Sequence, residues 1–98
     1  MTYNLVILPQ AQDEIHKAFE YYQHLSASVL TNFDKQLEQV YHNLETNPFY
    51  QIRYKHLRAI PFKSFPFLVF FDVDQENYII YIYSLFHTSQ DNSKYPIR

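Results

Sequence analysis

Four of the eight basic residues, Arg53, Lys55, Arg58 and Lys63, lie between positions 53 and 63 with no acid among them. A guanidinium stays charged and offers a phosphate or carboxylate two parallel donors. Arg58 therefore has the chemistry to hold a phosphodiester or to stabilise charge developing in a transition state. A strand arginine paired with a surface carboxylate is the plainer alternative. Arg53, Lys55 and Lys63 would hold a polyanion or an acidic partner beside it. His87 ends the last apolar run of the chain. Histidine titrates near pH ~6.5, so an imidazole there suits proton transfer, or equally a backbone hydrogen bond at a strand end. Tyr95 and Arg98 fall in a polar tail, where such residues are more often simply exposed.

The same inventory excludes other chemistries. Without cysteine there are no disulfides and no thiolate metal sites. Among the five histidines, His16 and His24 are eight residues apart and His56 and His87 fall in different predicted strands, so no metal ion is expected. Without glycine there is no glycine-rich phosphate loop, and no cofactor is expected. Tight hairpins that need positive φ are disfavoured for the same reason. A net charge of −2 is not the balance of a protein that grips nucleic acid by bulk electrostatics. No apolar run approaches the ~18 residues of a membrane helix. The amino terminus lacks the basic region of a secretory signal, which favours a cytoplasmic location. Asp13, Glu14 and Glu20 read as the solvated face of a helix, and Asp72 and Asp74 as turn residues with no catalytic role.

The elements that must position these residues follow from periodicity. Tyr3 to Leu8 reads as a strand ended by Pro9. Ala11, Ile15, Ala18, Phe19, Tyr22 and Leu25 form one helical stripe, with Asp13 and Glu14 assigned to its first turn. Val29, Phe33, Leu37, Val40, Tyr41 and Leu44 form a second stripe, with Ser26 as the cap between them and Asn47-Pro48 as the stop. Residues 49 to 53 read as a connection. Tyr54 to Ile60 reads as one strand, with Tyr54, His56, Arg58 and Ile60 on one side. Pro66 to Val73 and Tyr78 to His87 are apolar on both faces, as in central strands, with a polar turn at Asp74 to Asn77. Ten tyrosines and nine phenylalanines are more aromatic surface than one face of such a sheet hides. Residues of opposite parity on the last two strands must point away from the helices.

Several short runs occur in a definite order. Pro9-Gln10-Ala11 is followed by Ile15 and Tyr21-Tyr22, then Asn47-Pro48, Leu57-Arg58, Phe65-Pro66-Phe67 leading into Phe70-Phe71, and Phe86-His87-Thr88. In that order, over about residues 3 to 95, they resemble the RelE/ParE superfamily of bacterial type II toxin–antitoxin toxins. The resemblance implies an α+β fold, β-α-α-β-β-β, with an antiparallel helix hairpin packed on a mainly antiparallel sheet. It would occupy residues 1–98 as one domain, with 89–98 a loose tail.

It also implies a partner antitoxin. The outward aromatic residues Phe67, Phe70, Tyr81 and Tyr83 are the expected antitoxin-binding groove. The cellular target is expected to be DNA gyrase, bound by protein contact as in ParE-like members. The alternative is RelE-like, ribosome-dependent cleavage of messenger RNA, in which Arg58 and His87 would be catalytic and Arg53, Lys55 and Lys63 would bind nucleic acid. A third reading is a degenerate toxin retained for complex formation. Many relatives carry an arginine three residues after the closing histidine; here that position holds Gln90, which, with the charge, favours gyrase.

Overall fold

The computed structural model describes residues 2–89. Tyr95, Arg98, Gln90 and most of the expected tail lie outside the described residues. The chain runs β1 (Asn4–Ile7), α1 (Pro9–Leu25), α2 (Ala27–Thr46), β2 (Ile52–Tyr54), β3 (Leu57–Pro61), β4 (Phe67–Asp74) and β5 (Ile79–His87). One sheet carries the strands in the order β1-β5-β4-β3-β2. Only β1 is parallel to its neighbour, pairing Asn4–Ile7 with Ile79–Ile82; the other pairs are antiparallel.

Local chemistry sets the helix bounds. Pro9 opens α1, where its missing N–H leaves nothing unsatisfied. Because the helix starts at Pro9, Asp13 and Glu14 stand beyond its first turn, one turn later than the sequence suggested. Ser26 leaves the helical region and ends α1. Its hydroxyl accepts a hydrogen bond from the Val29 N–H at 3.2 Å and so also opens α2. Asn47, held extended before Pro48, closes α2.

The main core lies between the helix hairpin and one face of the sheet. Phe33, fully buried, stacks on Phe62 at 5.3 Å and meets Phe19, Tyr22, Phe65 and Phe67 at the edges of their rings or tilted to them. Each such pair adds about 0.5–1.5 kcal/mol to the burial itself. Val69, Phe71, Ile80 and Ile82 complete this face. Leu57, Ala59, Leu68, Phe70 and Phe86 form a second, smaller cluster with Tyr54 and Tyr83. Strand alternation puts it on the opposite face. A bulge sets that face: Phe70 pairs with Ser84 and Phe71 with Ile82, so Tyr83 is the extra residue on β5.

Two expectations fail at the turns. Tyr54 to Ile60 is not one strand: Tyr54 pairs with Leu57 across a two-residue turn, Lys55-His56, so β2 and β3 form a hairpin. The positive φ that turn requires is supplied without glycine, by Lys55 at 53°; Tyr78, before β5, sits at 55°. A side chain in this region costs about 1 kcal/mol or more. The flanking strand pairs hold both residues there. The turn also reverses the assumed parity. Tyr54 joins the outer cluster, whereas Arg58 and Ile60 lie on the helix side.

Candidate functional site

Arg58 sits in β3 opposite Ile52 and Phe71. Its Nη1 donates to the Tyr50 carbonyl at 2.7 Å, and its guanidinium lies 5.4 Å from the centre of the exposed Phe49 ring. These contacts pin the connection after α2 beneath the sheet, and the side chain is only half exposed. His87 ends β5, where its Nδ1 is 2.6 Å from the Ser89 hydroxyl and accepts from the Ser89 N–H at 3.2 Å. Its ring meets Phe67 edge-on at 5.2 Å. Arg58 pairs with Phe71 and His87 with Phe67 on β4, which separates them by roughly 13 Å along the strand direction as well as by two strands. The structure does not bring the two together.

The basic run is dispersed as well. Arg53 is exposed on β2, and Lys55 occupies the turn with its ammonium 5.4 Å from the Tyr54 ring centre. Lys63 lies beyond the other end of β3, in the loop that Gln36 holds by accepting the Ser64 N–H. A five-residue strand, roughly 15 Å long, stands between Lys55 and Lys63.

The expected antitoxin residues divide between the two faces. Phe67 belongs to the helix-side core, while Phe70 is fully buried in the outer cluster. Tyr81 and Tyr83 are half-buried. Open apolar surface lies between α1 and the end of β5, in a cavity of about 410 Å³ lined by Glu14, Lys17, Tyr21, Tyr22, Phe67 and His87 among others. Burial raises the Tyr22 phenol's pKa above its ordinary value, with Tyr21 adding to the shift.

Glu14, taken from sequence for a solvated residue, has a structural task here. β1 ends at Ile7, and Leu8 makes the last bond to β5 through the Ile82 carbonyl. Beyond it the Glu14 carboxylate accepts from the Leu85 N–H at 3.0 Å and the Ser84 hydroxyl at 2.9 Å. A side chain thus replaces the missing strand.

One cluster escaped sequence reasoning. On the outer face, His56 Nε2 lies 3.6 Å from Asp72 Oδ2, and their side chains are 45% and 36% exposed. Asp72 Oδ1 accepts the Val73 N–H at 2.9 Å, which fixes the carboxylate. The Tyr83 ring stands edge-on to the His56 ring at 6.4 Å. Nothing in the linear spacing of positions 56, 72 and 83 announces this meeting. It depends on the turn at Lys55 and the bulge at Tyr83. Among the described residues no group of three metal-ligating side chains comes together, and no helix is long and apolar enough to cross a membrane.

This arrangement of helix hairpin and sheet has known counterparts. Residues 5–92 match the model of the ParE toxin of the type II toxin–antitoxin system, parDE. The chain belongs to the ParE toxin family. No curated protein matches it. Among solved structures, the chromosomal ParDE toxin–antitoxin system of P. aeruginosa aligns over 90% of this chain and 98% of its own, with a TM-score of 0.73 at 14% identity. The toxin–antitoxin complex RelBE2 of Mycobacterium tuberculosis aligns over 89% and 99%, with a TM-score of 0.61 at 15% identity. An arginine double mutant of E. coli toxin RelE in the free state aligns over 91% and 86%, with a TM-score of 0.56 at 15% identity. At these identities the structures share the fold with this ParE-family chain. The fold is that expected from sequence, with β2 as an added edge strand.

Proposed function

We propose that this ParE-family toxin is neutralised by an antitoxin that seats a large apolar side chain in the groove between α1 and β5, and that the free toxin acts on DNA gyrase by protein contact. The family match over residues 5–92 carries the reading. The groove supports the first half: Tyr21, Tyr22 and Phe67 line a cavity large enough for a leucine or phenylalanine side chain. From there the antitoxin would wrap over the sheet edge toward Tyr81 and Tyr83, with Phe70 supporting that face from within. The helix hairpin supports the second half. Tyr21 and Leu25 are 62% and 57% exposed near its tip, more apolar surface than α1 needs for packing. A net charge of −2 and a dispersed basic set fit a protein target better than a phosphate surface. Arg53, Lys55 and Lys63 would then contact acidic residues of that target.

The test is supercoiling by purified gyrase without ribosomes. Wild-type toxin should stall it. Tyr21→Ala with Leu25→Ser should relieve the stall, and Arg58→Ala should matter less. Undiminished supercoiling at a large excess of folded toxin would refute the gyrase assignment. A second reading, cleavage of messenger RNA on the ribosome, draws on one separate observation, the exposed His56–Asp72 pair.

A further inference from the structure

At the end of the helix hairpin away from its turn lies a second cavity, which neither the antitoxin groove nor the gyrase reading uses. It holds about 320 Å³ between the last turn of α2 and the connection to β2, and is lined by Asn43, Thr46, Asn47, Phe49 and Tyr50. Its wall is fixed by hydrogen bonds. Asn47 Oδ1 accepts the Phe49 N–H at 3.3 Å, the Pro48 carbonyl accepts the Tyr50 N–H at 2.8 Å, and the Tyr50 carbonyl accepts from Arg58 at 2.7 Å. A connection held in this way needs little further ordering when a ligand arrives. Phe49 is nonetheless 50% exposed. Beside it, Tyr3 meets the Phe49 ring edge-on at 6.3 Å and the Tyr78 ring at 5.5 Å. Tyr78 is 40% exposed and stands at a φ of 55°, a conformation that is costly for a bulky residue and clusters at ligand sites.

The polar groups of this cavity define what fits it. Asn43 and Asn47 stand one helical turn apart, at the end of α2. Asn43 Oδ1 accepts from Gln39 Nε2 at 2.9 Å, as Asn47 Oδ1 does from the Phe49 N–H. Both amides are thus oriented through their oxygens, and each keeps an NH2 group to donate. The Thr46 hydroxyl spends its proton on the His42 and Asn43 carbonyls. Among the described residues no charged side chain lines the cavity. It also opens at the carboxyl end of α2, where the helix dipole disfavours an anion. The matching ligand is therefore uncharged, flat enough to stack on Phe49, and carries two adjacent acceptors. Guanine meets these conditions, because O6 and N7 lie side by side on one edge, whereas adenine sets a donor beside N7. We propose that the cavity binds the guanine base of a free nucleoside, stacked on Phe49, with the Asn43 and Asn47 amides donating to O6 and N7. Its volume lies near the lower bound of ~300 Å³ for small-molecule sites, so it takes one base rather than an oligomer. The site shares no lining residue with the groove between α1 and β5, and it stands whether or not gyrase is the target.

The experiment titrates nucleosides into the isotope-labelled full chain and follows the amide signals by NMR. Guanosine should shift the side-chain signals of Asn43 and Asn47 and the backbone signals of Phe49 and Tyr50. It should bind about 10-fold or more tightly than adenosine, which lacks the O6 acceptor, and than 7-deazaguanosine, which lacks the N7 acceptor. Guanosine 5′-monophosphate should bind no more tightly than guanosine. Phe49→Ala should weaken guanosine about 10-fold or more, and Phe49→Tyr should keep it. Asn47→Asp retains the oxygen that accepts the Phe49 N–H but loses the NH2 donor, so it should weaken guanosine about 10-fold. Asn43→Asp makes the same exchange on the other amide and serves should the first variant disturb the end of α2. Signals that stay in place with guanosine at its solubility limit overturn the proposal. So does adenosine or the monophosphate binding more tightly than guanosine, or guanosine binding unchanged in both aspartate variants. None of these results bears on the gyrase assay.

Discussion

The two faces of the sheet do different work. The helix side is a continuous apolar packing centred on Phe33, and on that side the Arg58 guanidinium holds the Phe49–Tyr50 connection. The outer face has only a small cluster around Phe70, and beside it stand His56, Asp72, Tyr81 and Tyr83, half-buried to exposed. A basic or aromatic residue is therefore a poor guide to function until its face is known. The arginine that sequence favoured donates to the Tyr50 carbonyl on the helix side, and a histidine that sequence passed over lies beside Asp72 on the outer face.

Substitutions break or sharpen that contrast in order of size. Phe33→Ala should cost about 3–5 kcal/mol, seen as a lowered midpoint in denaturant unfolding, because it empties the centre of the packing. His56→Ala should change stability by only about 0.5 kcal/mol or less, since His56 is exposed and belongs to neither core cluster. If both lose comparable stability, the division of labour fails. Glu14→Ala should cost about 1–3 kcal/mol by orphaning the Leu85 N–H, with hydrogen exchange rising first at Ser84 and Leu85. Lys55→Gly should stabilise the chain by up to about 1 kcal/mol by relieving the left-handed turn residue. A smaller gain would come from flexibility added to the unfolded chain.

Two titrations probe the same faces more gently. Burial, with Glu38 and Asp34 adding to it, pushes the Tyr41 phenol up to about 12 from 10.0. Its folded-state pKa is raised, so its contribution is complete below pH ~10 and is lost as pH rises through about 12. Tyr41→Phe should flatten alkaline unfolding in that window. Asp74 shifts the other way, because the Asn77 side chain and backbone donate to its carboxylate. Its stabilising effect is present above the ordinary aspartate pKa of 3.8 and is lost as pH falls through its lowered value, so Asp74→Asn should blunt acid sensitivity slightly.

The sequence made the helices and long strands legible because they obey strong local rules. Pro9, Ser26 and Asn47-Pro48 mark the helix bounds, and the stripes around Ala18 and Phe33 are unbroken. The β2–β3 hairpin was not legible, since without glycine or asparagine at Lys55 the turn carries no local signal, and the alternation from Tyr54 to Ile60 mimics one strand. That single misreading put His56 on Arg58's side and hid Asp72. Glu14 was hidden for another reason. Its partners, Ser84 and Leu85, lie 70 and 71 residues away, and its role exists only because β1 stops short.

The most direct test of the toxin assignment is induced expression of the chain in a bacterial host, with growth and plasmid supercoiling followed together. Growth should arrest and supercoiling fall, and co-expression of a cognate antitoxin should restore both. Normal growth and normal supercoiling, while the folded protein accumulates, would contradict it.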